Sequence, residues 1–167
     1  MNFDEITDLL RDKFGSGVIK AIENNGLQSA IQIDPELIVQ VCEELRDNSN
    51  TWFDFLSCLS GVDHGLEKNK FEIVYHLASI PFKQQLVLKT IKDHDRNNST
   101  LPSFHSVSEV WRTAEWHERE AFDLFGIKYT GTGYLSSALA MDKGMAKQLF
   151  IAGGIPTPQG ISMKKEN

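Results

Sequence analysis

The strongest constraint on the fold is the run Phe71-Glu72-Ile73-Val74-Tyr75-His76-Leu77, where a large apolar residue stands at every second position. A period of two puts Phe71, Ile73, Tyr75 and Leu77 on one face of a pleated strand, and a buried sheet face is what accommodates all four. Pro81 interrupts the pattern, after which Leu86 and Leu88 alternate with Gln85, Val87 and Lys89. Two such runs joined by a short loop read as an antiparallel pair. The chain must therefore build a sheet with a core face and supply elements to cover it.

Helical periodicity supplies those elements. Phe3, Ile6, Leu9, Leu10 and Phe14 recur at helical spacing, and Gly15 to Gly17 end that helix. Val18 to Glu23 reads as a short strand, closed by the turn-like Asn24-Asn25-Gly26, and Gln28 to Ile33 pairs with it as a hairpin. A second helix follows, with Asp34 expected at the N-cap, Pro35 at N1, Glu36 near the positive end, and Leu37, Ile38, Val41 and Leu45 as its buried stripe. Asp47-Asn48-Ser49-Asn50 breaks it. Phe53, Phe55, Leu59 and Val62 read as a strand with a local irregularity, and Asp63-His64-Gly65 as a turn, in which an Asp has ordinary turn chemistry. Asp93 to Pro102 is a polar loop. Ser106-Val107-Ser108-Glu109 has capping-box spacing and predicts a helix start, with Val110, Trp111 and Ala114 on the apolar side. The expected fold class is α+β: a small, mostly antiparallel sheet with helices packed on it, plus a C-terminal helical tail.

The densest stretch is Trp116-His117-Glu118-Arg119-Glu120-Ala121-Phe122-Asp123-Leu124-Phe125-Gly126-Ile127. As a helix it sets Glu115 against Arg119, Arg119 against Asp123, and Trp116 against Glu120, at i,i+4. Phe122 and Phe125 share a face, and Gly126 suits the C-terminal cap before Ile127 resumes an extended pattern. A half-buried amphipathic helix accounts for the spacing. Aromatics and Arg together also describe a docking element, because buried interface cores favour those residues.

Composition narrows the function. A net charge of −6 argues against a nucleic-acid footprint. No run reaches the length of a membrane helix, and Met1-Asn2-Phe3-Asp4-Glu5 lacks a signal-peptide pattern, so a cytoplasmic setting with membrane contact only through partners is expected. Cys42 and Cys58, far apart in sequence, read as two buried thiols in a reducing compartment. They are too few for a self-contained iron–sulfur site, which needs about four thiolates. His117-Glu118 begins a zinc-type H-E-x-x-H, but Ala121 stands where the second His belongs. His64, His76, His94 and His105 show no ligand spacing, Gly131-Thr132-Gly133 lacks a nucleotide-loop context, and Glu118, Glu120 and Asp123 have no nucleophile beside them. No catalytic residue, metal ligand or cofactor site is expected.

The run W-x-E-R-E-x-[FY]-D-L-F-G-I, complete here from Trp116 to Ile127, resembles the signature of the 30 kDa subunit of NADH:quinone oxidoreductase, respiratory complex I. Leu59 to Asp63, Phe71 to Leu77 and Ser106 to Trp111 are weaker family-like features, and the resemblance covers residues 1–130. It implies a cofactor-free, non-catalytic peripheral-arm subunit of a translocase, on the cytoplasmic side of the cell membrane. Such a subunit packs against the quinone-site subunit and other peripheral-arm subunits, while NADH, FMN, iron–sulfur clusters and quinone belong to the parent complex. Related membrane-bound hydrogenases use similar subunits, which leaves the electron donor open. In this reading Glu118, Arg119, Glu120 and Asp123 are ion-pairing residues of the docking region and Trp116, Phe122 and Phe125 its anchors. Breaking a buried ion pair there is expected to cost roughly 3–5 kcal/mol.

Residues 131–167 read differently. Gly131 to Phe150 and Ala152 to Pro158 resemble a segment of D-alanine–D-alanine ligase, an ATP-grasp enzyme, with the seam expected within Gly126 to Gly131. In that family the lysine matching Lys143 contacts nucleotide phosphate. By its own pattern the tail predicts a helix from Ser136 or Ser137 to about Ala152, on which Lys143 is a solvated lysine. The other walls of a nucleotide site are absent from the sequence, so no ligase activity is expected. The alternatives are an ATP-dependent ligase-type activity and a non-functional chimera.

Overall fold

The computed structural model describes residues 1–24, 28–96, 100–130 and 151. Asn25 and Gly26 of the expected turn, and the ligase-like tail apart from Ile151, Lys143 included, lie outside the described residues.

Helix α1 spans Phe3–Phe14. Its start is a capping box that the sequence reading missed: Asn2 Oδ1 accepts from Glu5 N–H, and Glu5 Oε2 accepts from Asn2 N–H, each at 2.8 Å. Strands β1 (Ile19–Glu23) and β2 (Ala30–Ile33) pair antiparallel, as the hairpin reading expected. Helix α2 runs Ile38–Asp47, later than expected. Asp34 does not cap it; its Oδ1 accepts from Glu36 N–H at 3.0 Å, closing an Asx turn. That local bond holds the segment before Leu37 as a turn, and Leu37 becomes the helix cap.

Strand β3 (Phe55–Asp63) carries the expected irregularity, between Leu56 and Cys58. Strands β4 (Lys70–Ser79) and β5 (Gln84–Asp93) pair antiparallel along their whole length. The five strands order as β1-β2-β5-β4-β3, with only the β2–β5 pair parallel. The sequence reading expected neither that junction nor the second sheet, where β6 (Ser103–His105) lies parallel to β7 (Lys128–Thr130). Between β6 and β7 runs helix α3 (Ala114–Phe125).

One face of the large sheet holds the core. Phe71, Ile73, Tyr75 and Leu77 of β4 are buried in one cluster with Ile6 and Leu10 of α1, Val41 and Leu45 of α2, and Ala114 and Ala121 of α3. On the opposite face of β4, Glu72 is buried while Val74, His76 and Ala78 are half-buried. There Lys89 Nζ lies 2.7 Å from Glu23 and 3.2 Å from Glu72, and His64 Nε2 lies 2.7 Å from Glu72. Asp63 has the expected turn role, accepting from Gly65 N–H at 2.8 Å, and also pairs with Arg96. Of the two thiols expected to be buried, Cys42 is; Cys58 is half-buried, because it lies on the edge strand and away from the core face. No helix among the described residues is long and apolar enough to cross a membrane.

Candidate functional site

Helix α3 is the element that the sequence marked out, and several contacts fix it against the edge strand β3. Trp111 Nε1–H donates to the Phe53 carbonyl at 3.0 Å, and Thr113 Oγ1 reaches the Leu56 carbonyl at 3.4 Å. Gly61 permits the close approach: a Cβ there would lie 2.9 Å from Ile127 Cδ1, 3.1 Å from Phe125 Cδ2 and 3.4 Å from Ala121 Cβ. The buried positions of the helix are Ala114, Glu118 and Ala121, two small residues around a carboxylate at i, i+4 and i+7. Gly126 ends the helix in the left-handed region (φ 68°), and its N–H donates to the Phe122 carbonyl, as its position in sequence anticipated.

The capping box expected at Ser106 does not form: the Ser106 N–H donates to the Thr130 carbonyl at 3.0 Å instead of to a Glu109 carboxylate. Glu118 Oε1 accepts from Val107 N–H at 2.8 Å, and Ser106 Oγ donates to Glu118 Oε2 at 2.7 Å. Ser106 Oγ also lies 2.8 Å from Ser108 Oγ and accepts from Ser108 N–H at 3.1 Å. The serine hydroxyl is thus drawn into the core by a distant carboxylate, residues 108–110 form a turn, and the helix starts only at Ala114. Burial pushes the Glu118 carboxyl up to about 7 from 4.5; the bonds from Ser106 and Val107 pull it down, and Glu115 adds to the rise. Burial, and secondarily Glu118, raise the phenol of nearby Tyr129.

The other predicted residues are exposed or half-buried. Trp116 is 65% exposed and Phe125 39%. Glu120 is exposed, and Phe122 is half-buried. Arg119 Nε lies 2.9 Å from Asp123 Oδ2, the i,i+4 pair that spacing predicted. This pair is at the surface of the chain, so the cost of roughly 3–5 kcal/mol for breaking it does not apply here; solvent screening leaves about 0.3–0.5 kcal/mol. The structure therefore separates the seven expected site residues. Glu118 is turned into the core and pins the 106–108 loop, while the remaining six lie on or beside an outer face. Leu124, missed by the sequence reading, joins that face at 67% exposure. It stands four residues after Glu120 and eight after Trp116, a stripe that the helical period could have revealed. Trp52, Phe55, Ile80 and Phe82 are large apolar residues that are also exposed. Asp54 Oδ1 accepts from Ile80 N–H at 2.9 Å and ties the segment before β3 to the end of β4. Among the described residues, no group of three or more His, Cys, Asp or Glu comes together as a metal site.

Fold and site together define an α+β protein whose most distinctive surface is an aromatic helix face with the chemistry of an interface. The model of the family described as respiratory-chain NADH dehydrogenase, 30 Kd subunit, matches residues 31–150, and the chain belongs to that family. The match runs past the seam read within Gly126 to Gly131. A relative from Rhizobium etli, named as a subunit of NADH-quinone oxidoreductase, is 38% identical over 125 residues, covering 73% of this chain and 62% of that protein. The NADH-quinone oxidoreductase of Salinispora tropica has a similar subunit, 32% identical over 161 residues, covering 92% of this chain and 63% of that one. The chain thus spans less than two thirds of the length of these relatives. A chain of the archaeal membrane-bound sulfane sulfur reductase complex shares the fold, with a TM-score of 0.60 at 19% identity over 77% of this chain and 71% of that one.

Proposed function

We propose that this protein is a docking subunit in the peripheral arm of a proton-translocating NADH:quinone oxidoreductase. It carries no redox cofactor and supports electron transfer from NADH to quinone by holding the neighbouring subunits, the quinone-site subunit first among them. NADH, FMN, iron–sulfur clusters and quinone are bound by those neighbours, and the chain reaches the cytoplasmic side of the membrane only through them. The ligase-like residues 131–167 contribute no ligase activity in this reading. The observation that carries it is the outer face of α3 in a member of this family: Trp116 and Leu124 stand exposed on a helix whose inner side holds Glu118, with Phe125 at the rim against Gly61 and Trp111 anchoring the turn before the helix. A rigid helix presenting large apolar side chains suits a hot-spot surface, because little ordering remains to be done on binding.

Capture of membrane subunits tests this. The full chain, immobilised and mixed with detergent-solubilised source membranes, should retain other subunits of the oxidoreductase. Trp116→Ala and Leu124→Asp should each lose that capture more than tenfold while circular dichroism stays unchanged, since a hot-spot truncation costs about 2 kcal/mol or more. Undiminished capture by both variants would refute the assignment to this face.

A further inference from the structure

We propose that the groove between α3 and the edge strand β3 receives an arginine-bearing segment of the neighbouring subunit, with its guanidinium on Glu120; this rests on the docking reading of the α3 face. Strand β3 is the last strand of the sheet, and Ser60 and Gly61 form one wall of the groove. The other wall is built by Glu120, Ala121, Leu124 and Phe125. Glu120 is exposed, and among the described residues it makes no ion pair. The nearest cation on its own helix, Arg119, is engaged by Asp123.

Trp116 and Leu124 flank Glu120 at i−4 and i+4, so a partner that covers those two side chains must also cover the carboxylate between them. A carboxylate buried without a counter-charge is strongly unfavourable, and among the described residues none is paired with it. The occupant must therefore bring the cation. The net charge of −6 also favours approach of a basic segment. Arginine meets the geometry better than lysine: its planar fork matches a carboxylate bidentately and stacks on an aromatic face such as that of Trp116.

The capture experiment, extended to Glu120→Gln and to chemically modified extracts, tests this separately from docking itself. Glu120→Gln should retain at least about tenfold less of the oxidoreductase subunits, and the capture that remains should lose most of its salt sensitivity. Treating the extract with phenylglyoxal, an arginine reagent, before mixing should abolish capture by the wild-type chain, whereas acetylating its lysines should not. Mass spectrometry of the complex should find one partner arginine protected from phenylglyoxal by the wild-type chain and not by Leu124→Asp. If Leu124→Asp abolishes capture while Glu120→Gln alters neither its amount nor its salt dependence, docking stands and the arginine proposal falls. Sensitivity to lysine acetylation without sensitivity to phenylglyoxal overturns it equally. If no variant alters capture, the docking reading falls and takes this proposal with it.

Discussion

Replacing Glu118 by Gln should remove a pH dependence of stability that the wild-type chain carries between about pH 5 and 7. The carboxyl titrates at about 7 in the folded chain against 4.5 as its ordinary value. A group whose folded value is raised holds its proton in the native state where the unfolded chain has released it. Its stabilising contribution is then fully present below 4.5 and is lost as pH rises through about 7. At roughly 1.4 kcal/mol per pH unit, that interval amounts to about 3 kcal/mol. The carboxylates of Asp34, Glu36, Glu44 and Asp63 are held below their ordinary values by cationic neighbours, Lys20, Lys92, Lys13 and Arg96 first among the causes. Their contributions have the opposite sign and fade only on the acid side of the window.

Gln suits the site because its amide oxygen can accept from Val107 N–H and its amide NH₂ can donate to Ser106 Oγ, which already accepts from Ser108. Urea unfolding followed by tryptophan fluorescence at pH 5, 6, 7 and 8 measures the effect. The wild type should lose about 2.5 kcal/mol more than Glu118→Gln over that range, and the variant should be at least as stable at pH 8. Equal slopes for the two proteins would refute the reasoning, because they would mean that the carboxyl titrates alike in folded and unfolded chains.

Three further outcomes follow from other parts of the structure. Gly61→Ala should destabilise by about 1–3 kcal/mol in thermal or urea unfolding, since the added Cβ overpacks against buried Ile127 and pushes on Phe125. Arg119→Ala should change the stability of the free chain by only about 0.3–0.5 kcal/mol, the value of an exposed i,i+4 pair. Cys42, fully buried and with its thiol pushed up by desolvation, should resist iodoacetamide until the chain unfolds, while half-buried Cys58 should be alkylated first; peptide mapping over time reads both.

Local chemistry made much of the fold legible. The alternation in β4 and β5, the periodicity of α1 and the Gly126 cap all depend on neighbours within a few residues, and each was readable from spacing. The parallel junction of β2 with β5 was not, because a parallel pair joins distant segments and leaves no mark in either one. The same holds for β6 and β7, three residues each, whose pairing is set by where α3 lies. Asp34 and Ser106 depart from their cap motifs for a related reason. A cap motif states what a side chain can accept from, and in the folded chain Asp34 accepts from Glu36 N–H and Ser106 from Ser108 N–H, while the Ser106 N–H donates to the distant Thr130 carbonyl. The site was legible in composition more than in geometry. The signature marked α3, but treating its carboxylates as one ion-pairing set ignored the small residues Ala114 and Ala121, which identify the stripe through Glu118 as the side facing the sheet.

Native gel electrophoresis reads whether the α3 face holds this chain within a respiratory complex. A tagged full chain expressed in its source should co-migrate, on a non-denaturing gel of solubilised membranes, with the large species that stains for NADH oxidation, and the Leu124→Asp chain should run apart from it. Wild-type and variant chains running together at that species would show that docking does not use this face. A wild-type chain absent from it would contradict the account altogether.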